Sequence, residues 1–346
     1  MKLPDLIKYD SSLKMVRNPE WPEEILAISA LDALHPQSVV FIKNAKLLEK
    51  FIPFVDEAVR LKVGAVVDEK FYLLMNAELK THLDKLPWIL SSLQVPMSLT
   101  LLSKPFYDAK MKGLNLQVDG RQMGNTDIDP SAHISQGVFI GENVKIGANV
   151  TIMAGSVVLP HVEISDNTTI YPNVTIYPFT KIGKNCRIHS ASVIGGDGFG
   201  YTYHQGKHVK IWHSGGVIIH DDVEIGSCSA VDMGTFSPTI IGEGCRLDNQ
   251  VHVAHNVKLG RGCVLCGHVG IAGSAVLEDY VVLGGKAGVG PDAHIGMGSQ
   301  IAGNAMVNEG AIWPAGSKLG GHPARDLKEW MKGFAYVRTM SLKETK

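Results

Sequence analysis

From Ile128 an aliphatic residue recurs every six positions through Ile134, Ile140, Ile146, Ile152, Val158, Ile164, Ile170, Ile176, Ile182, Ile188 and Ile194. The period resumes at Ile219, Ile225 and Val231, then runs from Ile241 to Val307 without a miss, and all 27 positions are Ile, Leu or Val. The fourth residue after each is small or β-branched, as in Val144, Ser156, Thr168, Val257 and Ala275, and the residue directly after is often Gly, as in Gly141, Gly147, Gly242 and Gly260. A period of six fits neither a 3.6-residue helix nor a plain alternating strand. It suits a short strand followed by a sharp turn, with two inward positions per hexad. Three hexads close one triangular coil, so the pattern predicts a parallel β-helix of about nine coils, each burying its face only against its neighbours.

Two interruptions stand out. The step from Ile194 to Ile219 is 25 residues and contains Asp197, Gly198, Phe199, Gly200 and Tyr201 with Lys207, His208, Lys210, Trp212 and His213; the step from Val231 to Ile241 is ten. Both segments must leave the prism, and loops on a rigid scaffold are where binding residues concentrate. Residues 1–110 carry no hexad frame. Helical stretches (Leu47 to Leu61, Glu78 to Leu90) alternate there with apolar runs (Val39 to Ile42, Val63 to Val67), the signature of a separate α/β domain. Residues 111–127 read as a linker, 128–316 as the β-helix, with the frame stopping after Pro314, and 317–346 as a C-terminal helical extension with Leu327, Trp330, Met331, Phe334, Val337 and Met340 on one stripe.

Composition narrows the chemistry. Lys and Arg number 33 against 34 Asp and Glu, so no overall basic field points to nucleic acid, and an anionic partner has to be recognised locally. The first residues lack a secretory signal, and no apolar run is long enough to span a bilayer, which predicts a cytoplasmic protein. Of five Cys, Cys186, Cys245 and Cys263 fall in the small inward slot, where Cys acts as a small hydrophobe. Cys263 and Cys266 share a Cys-x-x-Cys spacing but occupy different hexad positions, and no metal site or cofactor is expected. In the tail, Arg325, Lys328, Lys332 and Arg338 outnumber the nearby acids, a candidate landing patch for an acidic partner.

The hexads, the α/β domain and the C-terminal helix together resemble the UDP-3-O-acylglucosamine N-acyltransferases of lipid A biosynthesis. The most specific stretches are Gly196 to Tyr201, Val223 to Gly226, Leu247 to Val257 and Val269 to Ser274. The resemblance implies a mostly β fold, a left-handed parallel β-helix of hexapeptide repeats with an N-terminal α/β uridine-binding domain and a C-terminal helix. It implies a homotrimer with sites between neighbouring prisms, acyl carrier protein carrying a 3-hydroxyacyl chain as donor, and UDP-3-O-acylglucosamine as acceptor. Attack of an amine on a thioester needs a base with a pKa near neutrality and a donor for the oxyanion. His255 matches the family's base, and Gly273 its backbone oxyanion donor. Substrate contacts carried over are Phe41 and Asn44 for uracil, Asp197, Phe199 and Tyr201 in the long loop, Asp248, as a sugar-binding or base-orienting carboxylate, with Asn249, and Asp292 or His294. Three positions depart from the family pattern: Leu47 stands where a second aromatic is expected, Asp292 where a second His is common, and Met233 where Arg is usual. The spacing of His252, His255 and His268 is unlike that of the zinc-binding hexapeptide carbonic anhydrases. Competing readings are the related O-acyltransferase, which lacks the N-terminal domain, an acetyl-CoA-dependent sugar acyltransferase, and a non-catalytic scaffold, which leaves the long loop and the Asp248 to His255 segment without a purpose.

Overall fold

Each hexad folds as a short strand ending on its aliphatic residue, then a turn, in the computed structural model, which describes residues 1–17, 24–114, 125–321 and 327–344. Strands one coil apart pair in parallel, Thr151 beside His133 and Thr169, and Gly147 N donates to the Ile164 carbonyl at 2.8 Å. Three sheets result. The first starts at Asp127–Ile128, the second at His133–Ile134 and the third at Phe139–Ile140, with ten, ten and nine strands. Their aliphatic residues and the small inward residues form one continuous core.

The turn has two separate requirements. The third residue after the aliphatic lies in the left-handed region, occupied by Asn143 (φ 54°), Asn149 (φ 56°) and Asn167 (φ 60°), whose short amides tolerate it. The glycine directly after the aliphatic has another cause, the close approach of coils. A Cβ on Gly226 would lie 2.5 Å from the Asp248 carbonyl carbon. Polar inward residues clip one coil to the next. Ser156 Oγ donates to the Tyr171 carbonyl at 2.9 Å and accepts from Val174 N at 3.3 Å; Cys245 and Cys263 thiols likewise donate to Gly260 and Glu278 carbonyls at 3.1 and 3.2 Å. Burial pushes the Cys186 thiol up to about 11, so it stays protonated.

The repeat outlasts the aliphatic pattern. Strands at Ile312–Trp313 and Lys318–Leu319 pair with their predecessors, so the frame does not stop after Pro314 and the coils exceed nine. Trp313 takes the aliphatic slot, and a search for Ile, Leu or Val passes over it.

In the N-terminal domain, strands β1 (Lys14–Arg17), β2 (Ala27–Ile28), β3 (Ser38–Ile42), β4 (Gly64–Asp68) and β5 (Ile89–Ser92) form a sheet in the order β1-β5-β4-β3-β2, antiparallel only at β1. Strand β3 is buried on both faces: Val39 and Phe41 join one core, Val40 and Ile42 the other. The helices are α1 (Leu3–Tyr9), α2 (Ala45–Phe51), α3 (Val55–Arg60), α4 (Glu69–Leu74), α5 (Ala77–Leu83) and α6 (Val95–Met111). The expected helix from Glu78 to Leu90 ends at Leu83. Pro87 cannot extend it, and Ile89 to Ser92 pair with β4 instead.

Both interruptions leave the prism. The longer contains a hairpin, Tyr201–His204 paired with Lys207–Lys210, which docks on α6. Thr202 and Thr100 hydroxyls meet at 2.6 Å, Trp212 N donates to Ser103 Oγ at 3.1 Å, and the Trp212 ring lies 4.9 Å from that of Tyr107. The shorter carries Phe236 to the α/β core. Helix α7 (Leu327–Glu344) exposes Leu327, Met331, Phe334, Val337 and Met340.

Candidate functional site

His255 sits at the corner between the third and first sheets. Its Nδ1 lies 3.1 Å from Asn256 Oδ1, and Asn256 Nδ2 donates to the Ser237 carbonyl at 3.0 Å, which fixes the amide's orientation. A carbonyl oxygen only accepts, so His255 Nδ1 is the donor in this contact, which in the neutral ring leaves Nε2 as the acceptor. Asn256 Oδ1 also accepts from Thr235 N at 3.0 Å and Thr235 Oγ1 at 2.7 Å, so the shorter excursion and the imidazole share one anchor. Gly273 lies beneath the ring: a Cβ there would come within 2.7 Å of His255 Nε2. The two residues expected to act together are thus neighbours.

A second imidazole was not singled out from the sequence. His213 is 1% exposed, its ring centroid is 5.0 Å from that of His255, and its Nδ1 donates to the Ile211 carbonyl at 2.9 Å. Its Nε2 is buried without a hydrogen-bond partner among the described residues. Burial first, then the neighbouring His255, push its pKa down to about 4 against the opposing pull of Asp197, so it is neutral near pH 7. Gly198 and Gly200 make room for it; a Cβ on Gly198 would lie 2.5 Å from His213 Cδ2 and 2.9 Å from His255 Cβ. Asp197 pairs with Lys210 at 2.8 Å. Burial raises Asp232, opposed by His252 and His255. The glycines Gly198 and Gly200 of the Gly-Asp-Gly-Phe-Gly stretch therefore make room beside a histidine pair, a contact that sequence spacing does not reveal.

A groove of about 570 Å³ runs between the α/β domain and this corner, lined by Phe41, Leu47, Lys50, Phe236, Asn256 and Asp292 among others. Phe41, the expected uracil contact, is one of the groove's aromatic residues. Asn44 is not among the lining residues; its Oδ1 accepts from Leu47 N at 3.0 Å as the N-cap of α2. Phe236, from the shorter excursion, adds an aromatic ring that the Leu47 position lacks. Asp292 lines this groove; His294 is not among the lining residues, and its Nε2 meets Glu278 at 2.8 Å.

The remaining expected residues lie elsewhere. Asp248 and Asn249 occupy the corner between the second and third sheets, beside a separate cavity of about 500 Å³ with His189, Glu224 and Arg246. One chain does not bring them to His255. Phe199, just before the hairpin, and Tyr201, its first residue, are both exposed, their ring centroids 5.1 Å apart. Lys328, Lys332 and Arg338 are exposed on α7, while Arg325 lies outside the described residues. No group of His, Cys, Asp or Glu among the described residues is arranged to hold a metal.

Residues 238–273 match the model of the bacterial transferase hexapeptide (six repeats), and residues 122–197 that of the GMPPB C-terminal domain. The chain is similar to the UDP-3-O-acylglucosamine N-acyltransferases of Leptospira biflexa, 51% identical over 80 residues, and Shewanella denitrificans, 56% identical over 75 residues. The match with the first spans 23% of each chain and with the second 22% of each, so the aligned stretch is less than a quarter of the curated relatives' length. Among solved structures, a UDP-N-acetylglucosamine acyltransferase from Campylobacter jejuni aligns at 25% identity with a TM-score of 0.40, over 54% of this hexapeptide-repeat chain and 68% of that one.

Proposed function

We propose that this protein transfers a 3-hydroxyacyl chain from acyl carrier protein to the 2-amino group of UDP-3-O-acylglucosamine, in the cytoplasm and as a homotrimer. The observation that carries the reading is the His255–Asn256 pair above Gly273, beside an aromatic-lined groove, in a chain similar to enzymes of that name. The amine attacks the thioester carbonyl, forming a C–N bond and an oxyanion. His255 Nε2 takes the amine proton, the Gly273 N–H donates to the oxyanion, and collapse breaks the C–S bond, the proton passing to the departing thiolate. Uridine stacks on Phe41, with Phe236 in place of the ring that Leu47 does not provide. Asp248 and Asn249 complete the site from a neighbouring subunit, because their corner is not that of His255 in the same chain.

The test is an acyl-transfer assay offering acylated carrier and acetyl-CoA side by side with a UDP-aminosugar. Transfer from the carrier is expected, and His255→Ala should lower turnover by about 10² to 10⁴ without unfolding the protein. Preference for acetyl-CoA refutes the donor assignment, and near-normal turnover in His255→Ala moves the base elsewhere.

A further inference from the structure

Asp32 and Lys258 come from opposite walls of the groove, and Lys258 Nζ donates to Asp32 Oδ2 at 2.6 Å. An isolated surface pair of this kind needs no explanation. This one stands among the residues lining a concave space of about 570 Å³ that also holds Phe41, Phe236, Lys50 and Asp292. The charges of Asp32, Lys50, Lys258 and Asp292 cancel, so the groove as it stands offers a doubly charged anion no net attraction. A phosphate oxygen resembles a carboxylate oxygen as an acceptor, and it can replace Asp32 on Lys258 without leaving the ammonium unpaired. Asp32 is half-exposed and can return to water, or turn towards Lys50, whose charge already bears on it. A neutral ligand gains nothing from that exchange.

We propose that Lys258 is the phosphate-binding cation of the groove, and that Asp32 is a built-in competitor holding Lys258 until a nucleoside diphosphate displaces it. The inference rests on the nucleotide reading above. It implies that affinity at this site comes from ion exchange as well as ring stacking.

Calorimetric titration of UDP and of uridine into the full chain tests it at low salt. Asp32→Asn should bind UDP about 3- to 10-fold more tightly and Lys258→Met about 10-fold more weakly, with uridine binding unchanged in both. Unchanged or weaker UDP binding in Asp32→Asn overturns the competitor role. Uridine affinity that falls along with UDP affinity in Lys258→Met shows that the pair only holds the two domains together, and that too overturns it. If the unaltered protein binds uridine but gains nothing from the diphosphate, the proposal fails while the nucleotide reading stands; if it binds neither, both fail.

Discussion

His213 ties the site to the stability of the fold. Unfolded, its imidazole titrates near 6.5; folded, burial and the nearby His255 push it to about 4. Between those values the unfolded chain binds more protons, so stability is full above about pH 6.5 and is lost as pH falls towards 4. The loss is about 3 kcal/mol at most. Urea unfolding at a series of pH values should show this decline, and His213→Gln, which carries no titrating ring, should flatten it. A mutant with an unchanged slope assigns the decline to other groups. His255 itself was legible in the sequence because its neighbourhood matches a motif. His213 was not, since its importance lies in a contact made across the chain.

At the scale of a strand, the outward row on the third sheet runs His252, Gly270, Gly288, Met306 across four successive coils. A Cβ on Gly270 would meet nothing within 4 Å among the described residues, whereas one on Gly288 would lie 2.7 Å from Met306 Sδ. The row begins at His252, is bare at its two glycines and ends at an exposed thioether. If the proposed acyl chain lies along this row from His255, it meets Met306. Met306→Ala should shift the preferred chain by about two to four methylenes towards longer donors, each buried methylene being worth about 0.8 kcal/mol. Competition between acylated carriers of different length measures this, and an unchanged preference places the chain elsewhere. Glycine at these two outward positions was visible in the sequence, but only the pairing register lines them up with Met306. The hexads were legible because each repeats the same burial, whereas the end of Glu78 to Leu90 was not, because Leu90 serves a sheet rather than a helix.

For the whole molecule, Asp248 and His255 lie at different corners, so if both serve the proposed site, a second copy must supply one of them. Sedimentation should give a trimer, and a stable monomer near 37 kDa refutes the shared site. The exposed basic residues Lys328, Lys332 and Arg338 belong to the same scale. If α7 receives an acidic carrier, the apparent KM for the acylated carrier should rise with salt, and joint charge reversal of Lys328 and Arg338 should weaken that reaction alone. Salt-independent kinetics with a silent double reversal leaves α7 without that role. The sequence located both excursions, because a broken period is as plain as an unbroken one, but not that both reach back to the α/β domain.

The inward clips continue across those excursions. Ser192 Oγ reaches the Gly226 carbonyl 34 residues on, where Ser156 reaches one 15 residues on, and Ser229 Oγ reaches Asp248 across 19. In each case the surplus equals the inserted length, so the coil closes as though the insertion were absent. The hairpin and the Phe236 loop are therefore grafts on an unbroken spool. Such a scaffold separates two kinds of change: the spool can lengthen by whole turns, while the grafts that shape the groove can be exchanged without rewinding it.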